Sequence, residues 1–411
     1  MGMPRESFMK FENLTKTTIG IAVAALLTAC GGGGGSSTDT NDNTNNGNTQ
    51  SACESTTGAI NHQALASDNC TSLSSYRLFA NDANPTTNPN GTGIAFDLNT
   101  PLFTDYATKY RFVFVPEGEQ AQYNENEAFD FPVGTVITKT FALPTDTGVR
   151  GFENETLIET RLMIHRENGW TALPYIWNEE GTDATLALAG GSSERTIIHN
   201  GELKFTYRVP DANQCKQCHQ FKADSSSSLS KITPIGPKAR SLNGDFNYAD
   251  GTTRNQLSYW EEAGILAGLP ADVNSIPKIP AYKDGDQFGL QLMEVAEVQK
   301  LAKGYLDTNC AHCHRPEGGA SNTGLKLEYW RSFEDEPRAH GVCKQPVAYG
   351  GESRSFDIVP GDADASIMHF RMNSNERGDR MPEIGRALVH TEGVELIARW
   401  INNMTPVSCD G

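Results

Sequence analysis

The chain has 411 residues, 37% of them hydrophobic, and a formal net charge of −17. That apolar content is ordinary for a soluble protein with two or three domains, and it excludes an integral membrane protein built from apolar helices. The acidic balance argues against nucleic acid as a partner and favours proteins that present a basic patch.

Lys10 and Lys16 precede an apolar run, Ile19 to Leu27, that is too short to span a bilayer and ends in Leu27-Thr28-Ala29-Cys30. Residues 1–29 are therefore expected to be a signal peptide. The ending resembles a bacterial lipoprotein signal, which implies that Cys30 becomes the acylated first residue of the mature chain. Gly31 after it implies an outer-membrane lipoprotein. From 30 to 52 the sequence is glycine followed by Ser, Thr, Asn and Asp, with nothing to nucleate a core, and it reads as a flexible tether.

From Leu98 to Pro210 the signals are for antiparallel strands. Tyr110–Val115 is aromatic and β-branched, and Pro132–Phe141 opens with a turn and continues as a strand. Asn168-Gly169 and Asn200-Gly201 each separate two strand-like runs, and an Asn-Gly pair supplies the positive φ angles of a two-residue turn. The last of these strands leads into Cys215-Lys216-Gln217-Cys218-His219. Two cysteines three apart can each form a thioether to a haem vinyl group, and the histidine directly after them reaches the iron. After His219 the chain reads as loop. Thr253–Ala267 reads as a short helix, and the Pro-rich stretch Leu269–Tyr282 marks a boundary.

From about Gly289 the period changes to helical. Val295, Val298, Ala302, Tyr305 and Leu306 form a stripe that leads into a second block, Cys310-Ala311-His312-Cys313-His314. Val394, Ile397, Ile401 and Met404 form another stripe near the end. Helices at both ends predict a cytochrome fold in which they cross beside the haem, with Gly304 at the close approach and Tyr305 and Trp400 filling the gap. The fold class expected is α+β and multidomain. An antiparallel β-rich domain over 53–288 carries the first C-x-x-C-H site, and a C-terminal all-α cytochrome c-like domain over 289–411 carries the second.

The haem-attachment set is then Cys215, Cys218, His219, Cys310, Cys313 and His314, for two covalently bound haem c groups. His219 and His314 are the proximal iron ligands. A competing reading makes the four cysteines a zinc site, which explains the pairs but not the histidine after each. Met381, in the loop Arg380-Met381-Pro382-Glu383, is the expected second ligand of the later iron, with His369 and His390 as rivals. For the earlier iron the candidates are Met163, His165, His199 and Met293, or no ligand at all. Of nine cysteines, Cys53, Cys70, Cys343 and Cys409 remain, and an even remainder in an exported chain implies two disulfides. Three connectivities are open. Proximity favours Cys53 with Cys70 and Cys343 with Cys409.

Both blocks, together with Pro101–Tyr106, Phe131–Thr135, Glu159–Leu162, Asn255–Leu257 and the stretch from Pro360 to Pro382, resemble the family of exported dihaem c-type cytochromes found in bacteria beside parallel β-helix repeat proteins. The resemblance implies two covalent haems, electron transfer between periplasmic or outer-membrane redox partners, and a β-helix repeat protein as a possible partner. Two other functions fit the same residues. One is a haem enzyme, a peroxidase or small-molecule oxidase, with the Cys215 haem as reactive centre. The other is an extracellular module that docks a protein through its β region.

Overall fold

The computed structural model describes residues 51–222, 229–350 and 353–410. The expected signal peptide, Cys30 and all but the last two residues of the tether lie outside the described residues. Gln50–Gly411 clusters as one compact unit. Among the described residues, no helix is long and apolar enough to cross a membrane.

A short helix, α1 (His62–Ser67), leads to the sheet. The strands are β1 (Ile94–Ala95), β2 (Thr108–Phe114), β3 (Ala121–Gln122), β4 (Val136–Pro144), β5 (Glu155–Arg166), β6 (Gly169–Trp177), β7 (Ala184–Leu186), β8 (Gly191–Ile198) and β9 (Glu202–Val209). Six of them form one antiparallel sheet in the order β1-β2-β4-β5-β6-β7. β8 and β9 pair as a separate hairpin, and β3 pairs in parallel with Leu266–Ala267. The long strands β4 and β5 are buried along most of their length because the sheet is covered on both faces. One face holds Phe112, Leu162, Ile164 and Tyr175; the other holds Val113, Ile137, Met163 and Trp260. Alternation along each strand sends neighbouring residues to opposite cores.

Both hairpins form, but neither uses Asn-Gly as a two-residue turn. In the first, Glu167 and Asn168 make the turn, and Gly169, at φ 104°, is already paired with Arg166. In the second, His199, Asn200 and Gly201 make a three-residue connection, with Asn200 at φ 52° and Gly201 at φ 134°.

After β9 come α2 (Ala212–His219), α3 (Ala239–Leu242), α4 (Gln256–Glu262), α5 (Val295–Asn309), α6 (Ile367–Met372) and α7 (Thr391–Asn402). The helix expected over Thr253–Ala267 is shorter, because Thr253–Asn255 pairs with Asp245–Asn247 and Asn255 then caps α4. Both expected disulfides are present, Cys53–Cys70 and Cys343–Cys409.

The expected all-α cytochrome c-like domain is not formed, and the chain is not a β domain followed by a helical one. The helical stripes at 295–306 and 394–401 do give α5 and α7. Among the described residues, the intervening stretch holds α6 and the 3₁₀ turn Ser321–Thr323, along with loops joined by isolated strand-like bridges such as Val342 to Ile358. Buried polar bonds then weld this region to the β-rich part. Asp105 accepts from the Ala387 and Leu388 amides, the Asn309 side chain accepts from the Phe103 amide, and Asp307 on α5 pairs with Arg240 of α3. Such bonds leave no trace in hydrophobic period, so the sequence suggested a separable unit.

α5 and α7 do pack together, but not at Gly304. A Cβ on Gly304 meets Ile279 at 2.6 Å, so that glycine makes room for the Pro-rich connection. The close approach belongs to Gly393 on α7, where a Cβ lies 2.3 Å from the Tyr305 hydroxyl oxygen. Gly393→Ala gains about 1 kcal/mol of helix propensity and yet is expected to destabilise, because the clash forces Tyr305 off His390. Overpacking of this kind costs about 1–3 kcal/mol. Thermal unfolding of parent and variant reads the sign directly.

Candidate functional site

The first block sits on α2, whose start is fixed by a capping box: Asp211 accepts from the Asn213 and Gln214 amides, and the Gln214 side chain accepts from the Asp211 amide. Cys215 and Cys218 are one turn apart on this helix. His219 ends it, and its Nδ1 lies 2.8 Å from the Thr233 carbonyl oxygen. A carbonyl only accepts, so Nδ1 carries the proton and Nε2 is left with a free lone pair.

The second block follows the C-terminus of α5, itself begun by a capping box between Glu294 and Glu297. His314 Nδ1 lies 3.1 Å from Thr323 Oγ1, and that hydroxyl gives its own proton to the Ala320 carbonyl at 2.8 Å. Again Nδ1 is the donor and Nε2 the free atom. Burial pushes both histidines down to about 4, so both are neutral at neutral pH, as a metal ligand must be. Arg315, next in the chain, clamps the block to the β-rich part through two bonds to Glu127, at 2.9 and 2.6 Å.

The two blocks meet, although nearly a hundred residues separate them. The Cys313 thiol donates to the Gln217 carbonyl at 3.3 Å, and Cys218, His312 and Cys313 place one donor atom each within 4.8 Å of one another. A four-cysteine zinc site does not form, since Cys215 and Cys310 are not in that group. Burial raises the Cys215 thiol and pushes Cys310 up to about 12. Both are therefore thiols at neutral pH, which is not the state of a nucleophilic cysteine.

Beside the blocks lies a partly open cavity. Cys215, Cys218, His219, Cys310 and His312 line it, whereas Cys313 and His314 do not. Met381 lines it too. Its loop is held by Arg386, which donates to the Met381 carbonyl at 2.9 Å and to those of Met372, Ser374 and Leu388. Of the rival histidines, His390 lines the cavity and His369 does not. Among the candidates for the earlier iron only Met163 lines it. His165 bonds to the Phe131 and Pro132 carbonyls, His199 faces Thr147 and Glu392, and Met293 lines a different hollow.

The cavity wall carries a set of cations that sequence reading missed: Arg111, Lys139, Arg161, Lys238 and Arg386. Arg111 pairs with Asp97, Arg161 with Glu159 through two bonds of 2.6 and 2.7 Å, and Lys238 with Asp307 at 3.9 Å. Arg386 bonds mainly to carbonyls. Lys139 makes no ion pair among the described residues; its ammonium lies 5.1 Å from the centre of the Phe141 ring. Burial, then the charges of Arg161, Arg111 and Lys109, hold it well below the usual lysine range. The available signal was Lys139 and Arg161 within strand-forming runs, two charges facing each other across β4 and β5.

Comparison with protein-family models, curated proteins and solved structures finds no match.

Proposed function

We propose that the chain is an exported, lipid-anchored dihaem c-type cytochrome, of the family its two blocks resemble, that passes electrons between periplasmic or outer-membrane redox proteins. One observation carries this reading: a single cavity, edged by both C-x-x-C-H blocks, has walls bearing five basic side chains in a chain of net charge −17. Unpaired buried charge is costly, and the carboxylates of a porphyrin are counter-ions of the right sign for Lys139 and Arg386. Cys215 with Cys218 and Cys310 with Cys313 would attach the two haems. His219 and His314 would hold the irons through Nε2, and Met381 would complete the second site. The bound haems supply the one-electron chemistry; the protein supplies ligands, burial and charge. The anchor at Cys30 and a β-helix repeat partner belong to the same proposal.

A haem enzyme built on the Cys215 site is the second reading, supported by the placement of His165, His199 and Met293 away from the cavity. An optical spectrum that shifts with cyanide or peroxide favours the enzyme, and an unresponsive low-spin spectrum favours the carrier. The proposal as a whole is tested by pyridine haemochrome together with intact mass. The expected result is two covalent haems in the parent and one in Cys215→Ala/Cys218→Ala. Colourless, correctly exported protein would overturn it.

A further inference from the structure

Outside both blocks, Asp284, His390 and Glu392 each place one donor atom within 4.8 Å of the others. His390 Nε2 lies 3.5 Å from Asp284 Oδ1 and 3.7 Å from Glu392 Oε2. On the far side, His199 Nε2 lies 3.1 Å from Glu392 Oε1. These groups come from three places: the β8–β9 connection, the segment before α5 and the start of α7. We propose that His390, Asp284 and Glu392 hold a structural zinc ion, with His199 supporting Glu392 from behind.

Three observations support it. The first is an unmet need: Glu392 is 1% exposed and has no lysine or arginine partner among the described residues. The His390 Nε2 and Glu392 Oε1 are buried without a hydrogen bond, while Glu392 Oε2 accepts from the Tyr106 and Thr391 hydroxyls at 3.0 Å each. A buried carboxylate with a second one beside it calls for a cation. The second is spacing. Tetrahedral zinc with bonds of about 2.0–2.2 Å holds its donors roughly 3.3–3.6 Å apart, close to the 3.5 and 3.7 Å from His390 Nε2 to the two carboxylates. The third is support behind each donor. Tyr305 Oη lies 2.9 Å from His390 Nδ1, Thr147 Oγ1 lies 2.8 Å from His199 Nδ1, and Arg150 donates to Asp284 Oδ2 at 2.9 Å. The His390 ring is also stacked on Phe103, 4.2 Å between centres. Ligating imidazoles are oriented by such partners on the other ring nitrogen. An imidazole with two carboxylates suits zinc; calcium and magnesium take oxygen ligands alone.

The test uses the full haem-loaded chain, stripped with a chelator and titrated with zinc chloride, with metal counted by mass spectrometry and unfolding followed thermally. One equivalent of zinc should bind, raise the unfolding temperature and leave the haem spectrum unchanged. Asp284→Asn and His199→Gln, both at partly accessible positions, should each weaken binding by about tenfold or more. Glu392→Gln should abolish it. The inference is overturned if no zinc binds above trace, if Asp284→Asn and His199→Gln both bind like the parent, or if zinc alters the iron spectrum, which would assign His390 to a haem.

Discussion

Asp307→Asn is expected to lower stability by about 3–5 kcal/mol, the cost of removing one partner from a buried charge pair. Asp307 is 1% exposed on α5. It accepts from Arg240 at 2.7 and 3.2 Å and from the Tyr329 amide at 2.9 Å, with Lys238 3.9 Å away. Asparagine keeps the shape but leaves two buried cations without a counter-charge. Burial alone pushes the carboxyl up. Lys238 and Arg240 outweigh that and hold it at about 2. An unfolded aspartate titrates near about 3.9. The folded value is the lower one, so this contribution is complete above roughly pH 5 and is lost as pH falls through 4 toward 2. Urea unfolding at neutral pH and near pH 3 checks both points. The gap between parent and variant should shrink in acid, and a gap that widens would contradict the assignment.

Arg386→Met should have the second large effect. The guanidinium, 7% exposed, donates to backbone carbonyls of Met372, Ser374, Met381 and Leu388, and so ties the loop carrying Met381 to the end of α6. Each carbonyl left dry costs about 1–3 kcal/mol, though loop movement lets water reach some of them. A loss of about 3 kcal/mol is expected, measured as a shift of the urea midpoint. If Met381 ligates iron, the same variant also loses the potential that a thioether confers. Met381→Ala then lowers the potential of one centre without the loss of stability. Redox titration of both variants separates the latch from the ligand. An unchanged titration in both would remove Met381 as ligand.

How far the sequence could be read follows from the range of each signal. The two blocks, both hairpins, α5, α7 and the disulfide pairing rest on residues within a few turns of one another or on simple cysteine arithmetic, and they were visible. The meeting of Cys218 with Cys313 was not, because nothing local encodes a contact across ninety-five residues. Gly304 and Gly393 look alike in sequence; only packing against Ile279 or Tyr305 tells them apart. The helical period of 295–306 was read correctly except at Val295, which is 55% exposed. The same period suggested a free-standing helical domain because it is blind to side chains such as Asp105, Asp307 and Asn309, whose partners lie far upstream. Lys139 was read as part of a strand, and burial is what gives it meaning.

The bonds from Tyr106 to Glu392 and from Asp105 to Leu388 join residues 286 and 283 positions apart. Closure of such distant pairs comes late and slows folding. During synthesis, then, the segment around Asp105 is made long before its partners, and the architecture cannot be finished piecemeal. Until α7 emerges, Cys310 and its neighbours remain reachable from solution. Any enzyme that must act on those thiols has its opportunity in that interval.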